Sequence, residues 1–94
     1  MNIEELYKII KDRQSKMSKN SYTASLFKAG SDRIVQKVGE ETVEVIIAAK
    51  NQNKNETVAE IADLLFHLLV LCACMNIKPG EVFEELTKRN RARS

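Results

Sequence analysis

The chain contains few residues that interrupt helices, since only one of its 94 residues is proline and only three are glycine. The long segments between them carry apolar residues at helical spacing, and none shows the strict apolar and polar alternation that is typical of a half-buried strand. We therefore predict an all-α fold, a bundle of about four to five helices, with residues 1–94 forming a single domain.

Cysteine is also scarce. Cys72 and Cys74 lie two positions apart in an apolar helical segment, so their side chains point in different directions and cannot pair with each other. We interpret both as reduced core residues, which fits a reducing compartment. The longest apolar run, Leu64 to Met75, is about half a membrane span, and no N-terminal segment has the pattern of a secretory leader. The sequence therefore predicts a cytoplasmic protein with no membrane partner.

Neither sign of charge dominates, because 15 lysines and arginines face 13 acids and the formal net charge is +2. A nucleic-acid-binding domain would carry an excess of basic residues overall or along one face. Here the acids crowd two segments, Glu40 to Glu44 and Glu56 to Asp63, and a basic tail follows, with Lys88, Arg89, Arg91 and Arg93. This separation suits a ligand that combines metal and phosphate, and we expect no nucleic-acid partner.

The chain is short for its apolar content, because hydrophobic residues make up 44% of only 94 positions. A domain of this size buries roughly 60–65% of the surface that its unfolded chain exposes. Much apolar surface would remain uncovered in a single copy. We therefore expect dimerisation to complete the bundle.

The first half of the chain predicts two helices and the start of a third. An apolar stripe predicts the first helix, which ends in the polar stretch Lys16 to Asn20. A short second helix is predicted from Tyr22 to Lys28. Gly30 is predicted to end that helix as a left-handed cap. Ser31 or Asp32 can then cap a long helix that runs to about Lys50. The stripe of the first helix consists of Ile3, Leu6, Ile9 and Ile10.

The second half predicts a turn and two further helices. The polar stretch Asn51 to Asn55 is interpreted as the turn, followed by a long helix to about Asn76. Pro79 suits the first position of a last helix. On the third helix, the apolar stripe predicted to face the core consists of Ile34, Val38, Val45 and Ala49, with Val35 and Ile46 at its edge.

Four carboxylates occupy positions where the surrounding pattern favours apolar residues: Glu41 and Glu44 on the third helix, and Glu60 and Asp63 on the fourth. An isolated carboxylate in an apolar interior costs several kcal/mol unless it is paired, protonated or bound to a cation. A short turn between antiparallel helices could bring Glu44 and Glu60 together. Oxygen ligands match Mg²⁺ or Mn²⁺, whereas a zinc site normally recruits His or Cys. We predict Mg²⁺, with Mn²⁺ as a substitute, and the alternative is a solvated acidic face.

Other polar side chains surround these acids. Arg33 and Lys37, one turn apart on the same edge of the third helix, could hold phosphate oxygens, and Lys28 could do so from the preceding segment. His67 is interpreted as a hydrogen-bonded core or subunit-interface histidine, and as a candidate partner of Asp63 one turn away, rather than as a metal ligand.

Two segments carry a resemblance to a known family: Ser21 to Asn51, and Glu60 to Leu71. They resemble the phosphoribosyl-ATP pyrophosphatases, within the wider all-α MazG-type nucleotide pyrophosphohydrolases. The wider pattern is Glu-Glu-x-x-Glu followed by Glu-x-x-Asp, which Glu40 to Glu44 and Glu60 to Asp63 match. The string from Lys37 to Glu41, together with Gly30, Arg33, Gln36 and the early Ser21-Tyr22-Thr23, points to the histidine-pathway branch.

The resemblance implies Mg²⁺-dependent hydrolysis of phosphoribosyl-ATP to phosphoribosyl-AMP and pyrophosphate, the second step of histidine biosynthesis, by a homodimer. Glu41, Glu44, Glu60 and Asp63 would be the metal ligands, and Glu40 the candidate for orienting or deprotonating the attacking water. The expected catalytic residues are therefore Glu40, Glu41 and Glu44, and the expected substrate-binding residues are Lys28, Arg33 and Lys37.

Two other functions remain open from the sequence. A MazG-type enzyme that hydrolyses dNTPs would use the same acids, because these would contact phosphate and metal with either substrate. A non-enzymatic helical interaction module could instead use the acids in salt bridges with the basic tail of a partner subunit. The number of metal ions and the identity of the general base also remain open.

Overall fold

The computed structural model describes residues 1–93, and the side chains of residues 1–90. Five helices follow one another along the chain: α1 (Ile3–Lys16), α2 (Tyr22–Ala29), α3 (Ser31–Lys50), α4 (Lys54–Cys74) and α5 (Pro79–Arg93). No strand occurs among residues 1–93, so the all-α prediction is confirmed. Of the basic tail, Arg91 and Arg93 lie outside the residues whose side chains are described.

Three helices begin with a polar side chain that caps the first turn. Asn2, Ser21 and Asn53 each accept a hydrogen bond from the backbone N–H three residues later, at 2.8, 3.1 and 3.0 Å. Such a cap contributes about 1 kcal/mol, because it satisfies a backbone donor that has no partner within the helix. These caps define where α1, α2 and α4 start.

The junction between α2 and α3 differs from the prediction. Gly30 alone separates the two helices, with φ 102° and ψ 176°, so its φ is positive as expected but its ψ is extended rather than left-handed helical. The predicted cap at Ser31 or Asp32 is wrong: Ser31 is the first helical residue, and α3 has no side-chain cap. Gly30 is both the C-cap of α2 and the N-cap of α3, and because glycine has no side chain, none is available to cap α3.

Helices α3 and α4 form the most extensive helix pair, joined by a turn of Asn51, Gln52 and Asn53. This turn is two residues shorter than predicted, because Asn53 already caps α4. Helix α4 also ends at Cys74, two residues before the predicted Asn76. The last helix begins at Pro79, as predicted.

The hydrophobic core lies where α1 and α2 pack against the end of the α3–α4 pair that is distant from the turn. Its most completely buried side chains are Ile10, Ile34 and Val70. The other core residues are Tyr7, Leu26, Leu69 and Ala73, with Phe27 and Phe66 packed at the margin. The two cysteines, Cys72 and Cys74, are free and partly buried, as predicted.

The predicted core face of α3 is partly wrong. Ile34 is buried and Val38 and Val45 are partly buried, but Ala49 is exposed and Ala48 is buried in its place. The reason is that the contact with α4 follows the edge of the helix that carries Ala48. The residues predicted at the margin, Val35 and Ile46, are more than half exposed.

A broad apolar surface remains exposed on the α3–α4 pair. It is called the apolar face below and consists of Val43, Ile46 and Ile47 on α3 with Val58, Ile61, Leu65 and Leu68 on α4. The accessible area of the chain is 6967 Å², whereas a compact monomer of this mass exposes roughly 5,500 Å². The radius of gyration, 14.7 Å, also exceeds the roughly 12 Å of a compact chain of this length.

Helix α4 is long and apolar enough, by length and composition alone, to cross a membrane. The central helix of a water-soluble bundle has the same composition, so this is weak evidence. In this structure α4 packs against α1 and α3.

Candidate metal centre

Three carboxylates converge between α3 and α4. Glu41 lies on α3, and Glu60 and Asp63 lie one turn apart on α4; one oxygen from each can be chosen so that all lie within 4.8 Å of one another. Glu41 and Asp63 are each 11 residues from Gln52 at the centre of the turn, so antiparallel pairing of the helices brings them to the same level, with Glu60 three residues nearer the turn. We call these three residues the acidic group.

The donor atoms of the acidic group suit a hard divalent cation. Oxygens that share one Mg²⁺ at roughly 2.1 Å lie no more than roughly 4.2 Å apart, and the three oxygens here lie within 4.8 Å of one another. The group contains neither Cys nor His, the ligands that zinc prefers. The residues therefore fit Mg²⁺ or Mn²⁺.

The other predicted ligand, Glu44, lies outside the acidic group but close enough to affect it. Partial burial raises the pKa of Glu60, and the negative charges of Asp63, Glu44, Glu41 and Glu56 raise it further. Repulsion between nearby carboxylates has this effect because each opposes ionisation of the next. The site thus holds excess negative charge, which a divalent cation would neutralise.

Burial of the acids is less than the sequence pattern predicted. Glu41 and Glu60 are partly buried, but Glu44 and Asp63 are exposed. Their apolar neighbours, such as Val43 and Ile61, are exposed as well. The reason is that the single chain covers only one side of the α3–α4 pair.

Lys37 lies at the edge of the acidic group. Its ammonium is 3.2 Å from Glu41 Oε1 and 3.4 Å from Glu40 Oε2, and its side chain is only 18% exposed. The hydrogen bond to Glu41 raises the pKa of Lys37, and this outweighs the opposing effect of burial. Arg33 approaches Glu40 at 3.8 Å. Arg33 and Lys37 are therefore paired with Glu40 and Glu41 of the same helix.

The remaining predicted substrate-binding residue, Lys28, lies apart from the acids. With Lys19, Ser18 and Ser25 it lines a surface cleft of about 300 Å³ between the end of α1 and α2. None of the predicted acids lines this cleft. The structure thus brings Arg33 and Lys37 to the acidic side chains, but not Lys28.

His67 is a buried, hydrogen-bonded histidine, as predicted, with 4% of its surface exposed. Its Nδ1 lies 2.7 Å from the backbone carbonyl of Asp63, and its Nε2 lies 2.9 Å from the Tyr22 hydroxyl. The sequence predicted no contact for Tyr22. The string Ser21-Tyr22-Thr23 marked the position, but nothing in it indicated a partner 45 residues away.

Comparison with known proteins identifies the family to which this chain belongs. The family model described as phosphoribosyl-ATP pyrophosphohydrolase matches residues 3–90. The chain belongs to the phosphoribosyl-ATP pyrophosphohydrolase family. The matched segment includes the acidic group, Glu40, Glu44, Lys37 and all the other residues predicted for the site.

Individual members of the family are similar over nearly the whole chain. A phosphoribosyl-ATP pyrophosphatase of Clostridium novyi is 48% identical over 95% of this chain and 81% of its own length. One from Pelotomaculum thermopropionicum is 48% identical over 98% of this chain and 94% of its own length. One from Saccharolobus solfataricus is 44% identical, covering 95% of both chains.

Proposed function

We propose that this protein hydrolyses phosphoribosyl-ATP to phosphoribosyl-AMP and pyrophosphate, the second step of histidine biosynthesis. The observation that carries the proposal is the convergence of Glu41, Glu60 and Asp63 within 4.8 Å in a chain that the family model matches over residues 3–90. Residues 1–94 would then act as one pyrophosphohydrolase domain with a small-molecule substrate.

Glu41, Glu60 and Asp63 are proposed to hold Mg²⁺, with Mn²⁺ as a substitute, and Glu44 to join them as a further ligand. A bound divalent cation screens the negative phosphate oxygens and lowers the pKa of water. Support comes from the oxygen-only donor set and from the excess negative charge that raises the pKa of Glu60. Glu41 and Glu44 would contribute to catalysis as these ligands.

Glu40 is proposed to orient or deprotonate the attacking water. Its carboxylate lies beside the acidic group, on the same helix edge as Glu41, and is half exposed. Arg33 and Lys37 are proposed to bind phosphate oxygens, since both ammonium and guanidinium groups donate charge-assisted hydrogen bonds. Lys28 could contact only a part of the substrate that reaches the cleft on α2.

A homodimer is proposed because the single chain exposes roughly 1,500 Å² more surface than a compact monomer of its mass. Specific interfaces bury on the order of 800 Å² on each partner, so this excess is sufficient for a stable one. The apolar face supplies the residues that such an interface needs. We also propose a cytoplasmic location without membrane or nucleic-acid partners, which the free Cys72 and Cys74 support.

The deciding experiment offers the purified protein phosphoribosyl-ATP and a panel of dNTPs with Mg²⁺, and measures pyrophosphate release from each. We expect release from phosphoribosyl-ATP and much slower release from dNTPs. Asp63→Asn should abolish turnover while far-ultraviolet circular dichroism stays unchanged. A preference for a dNTP would overturn the pathway assignment but keep the metal site, whereas normal activity of the Asp63 variant would contradict the site.

A further inference from the structure

Lys37 is the cation that this structure places in contact with the acidic group. Within residues 1–90, ion pairs join Lys37 to Glu41 and Glu40, and none involves Glu44, Glu60 or Asp63. Glu41, the partner at 3.2 Å, is itself one of the three converging carboxylates and is only 12% exposed. One carboxylate is therefore shared between a resident ammonium and the site proposed for a metal.

A divalent cation and this ammonium would compete for Glu41. Two positive charges within a few ångströms repel strongly in a partly buried site, where the effective dielectric constant is well below that of water. Lys37 can leave, because its flexible stem lets the ammonium move by simple rotations. Helix α3 stays in place, since Lys37 is partly exposed and only its side chain has to change position.

A displaced Lys37 would have a new partner close by. The neighbouring cation, Arg33, lies one turn away, and its only ion pair among the side chains of residues 1–90 is with Glu40, at 3.8 Å. Both cations therefore border the acidic group on the same edge of α3. A nucleotide whose phosphates were held at the group would present anionic oxygens to that edge.

We propose that Lys37 is an exchangeable counter-ion, which neutralises Glu41 in the metal-free protein and transfers to phosphate oxygens of the nucleotide when a divalent cation binds Glu41. This inference rests on the proposed function, since it needs the metal and the phosphate at one site. Lys37 then weakens binding of the metal alone and strengthens binding of the nucleotide. A fixed Lys37 that only orients Glu41 would instead help the metal to bind.

The test measures Mn²⁺ affinity without nucleotide, from the electron paramagnetic resonance signal of free Mn²⁺. Lys37→Met should bind Mn²⁺ at least about fivefold more tightly than the wild type, the lower end of ordinary coupling between sites. Its KM for phosphoribosyl-ATP, measured at saturating Mg²⁺, should rise by at least about the same factor. Lys37→Arg, which keeps the charge, should stay near the wild-type Mn²⁺ affinity.

Two control variants separate exchange from general loss of positive charge. Lys16 and Asp12 on α1 form an i,i+4 ion pair at 3.3 Å, which is equivalent to the pair between Lys37 and Glu41. Lys16→Met removes this pair and should leave Mn²⁺ affinity unchanged. Arg33→Met removes a neighbouring cation that contacts Glu40 but not Glu41, and should tighten Mn²⁺ binding less than Lys37→Met. Circular dichroism of each variant checks that the helices are retained.

The outcomes also distinguish this inference from the proposed function. Unchanged or weaker Mn²⁺ binding by Lys37→Met would overturn the exchange, and so would tighter binding with an unchanged KM. In both cases a wild type that binds Mn²⁺ and hydrolyses phosphoribosyl-ATP keeps the proposed function. A wild type that binds no Mn²⁺ and releases no pyrophosphate would overturn both.

Discussion

The Tyr22 hydroxyl on α2 lies 2.9 Å from Nε2 of His67 on α4. The other ring nitrogen, Nδ1, lies 2.7 Å from the Asp63 carbonyl. A carbonyl can only accept, so Nδ1 carries hydrogen, and in the neutral ring Nε2 accepts from Tyr22. The Tyr22 ring also stacks on Phe66, with centroids 6.3 Å apart. These contacts attach the start of α2 to the turn of α4 that carries Asp63.

Tyr22→Phe should lower the free energy of unfolding by about 1 kcal/mol, because it removes one hydrogen bond but keeps the aromatic stacking. Urea denaturation measures the change. Tyr7→Phe is the matched control: Tyr7 is buried, and its hydroxyl makes no hydrogen bond to the other described side chains, so its loss should cost less. Equal losses in the two variants would show that the bond to His67 contributes nothing specific.

Glu60→Gln should stabilise the metal-free protein at neutral pH. An acid whose pKa is raised by folding binds more protons in the native state, so stability falls as pH rises from its ordinary value of 4.5 through the raised value. Glutamine mimics the protonated form and avoids this loss. The melting temperature without metal should therefore exceed that of the wild type at pH 7, and the advantage should vanish below the ordinary pKa.

The same variant should respond differently to metal. Millimolar Mg²⁺ should raise the melting temperature of the wild type, since a ligand bound only by the native state stabilises it. In Glu60→Gln that rise should be lost or much smaller. Glu84→Gln, an exposed acid on α5 outside the acidic group, should behave like the wild type in both measurements. A melting temperature of Glu60→Gln below that of the wild type without metal would contradict the predicted repulsion.

Ile46→Glu should convert the proposed dimer into a monomer, because it places a charge in the middle of the apolar face. Light scattering after size-exclusion chromatography should show the mass falling from twice 10.7 kDa to 10.7 kDa. Ile9→Glu alters an exposed isoleucine on α1, outside that face, and should leave the dimer intact. A wild type that elutes as a fully active monomer would exclude the dimer.

Gly30→Ala should destabilise the fold by about 1–3 kcal/mol, because a side chain at φ 102° and ψ 176° is strained. The cost comes from the backbone alone, since nothing lies within 4 Å of the added Cβ. Gly80→Ala, which is equally unhindered but has no positive φ, should instead be neutral or stabilising by up to about 1 kcal/mol. Urea denaturation compares the two, and equal effects would mean that the sharp α2–α3 junction is not strained.

Local features of the chain were predictable because they depend on neighbouring residues. Helical periodicity, the scarcity of proline and glycine, and Pro79 at a first helical position located the helices to within a few residues. The helix predictions were wrong at positions where a tertiary contact or a one-residue junction between helices determines the structure. The cap of α3 was misassigned because Gly30 alone joins two helices, and Ala49 was placed in the core because the sequence does not state which edge of α3 meets α4.

The sequence by itself determined the all-α class and the two acidic motifs, since helical propensity and i,i+3 spacing are properties of short segments. Only the tertiary structure decided that Glu41 meets Glu60 and Asp63 while Glu44 stays outside. It also decided that Tyr22 on α2 reaches His67 on α4. Such contacts depend on the relative rotation and axial position of packed helices, which are set by side chains that are distant in sequence and by the length of a three-residue turn.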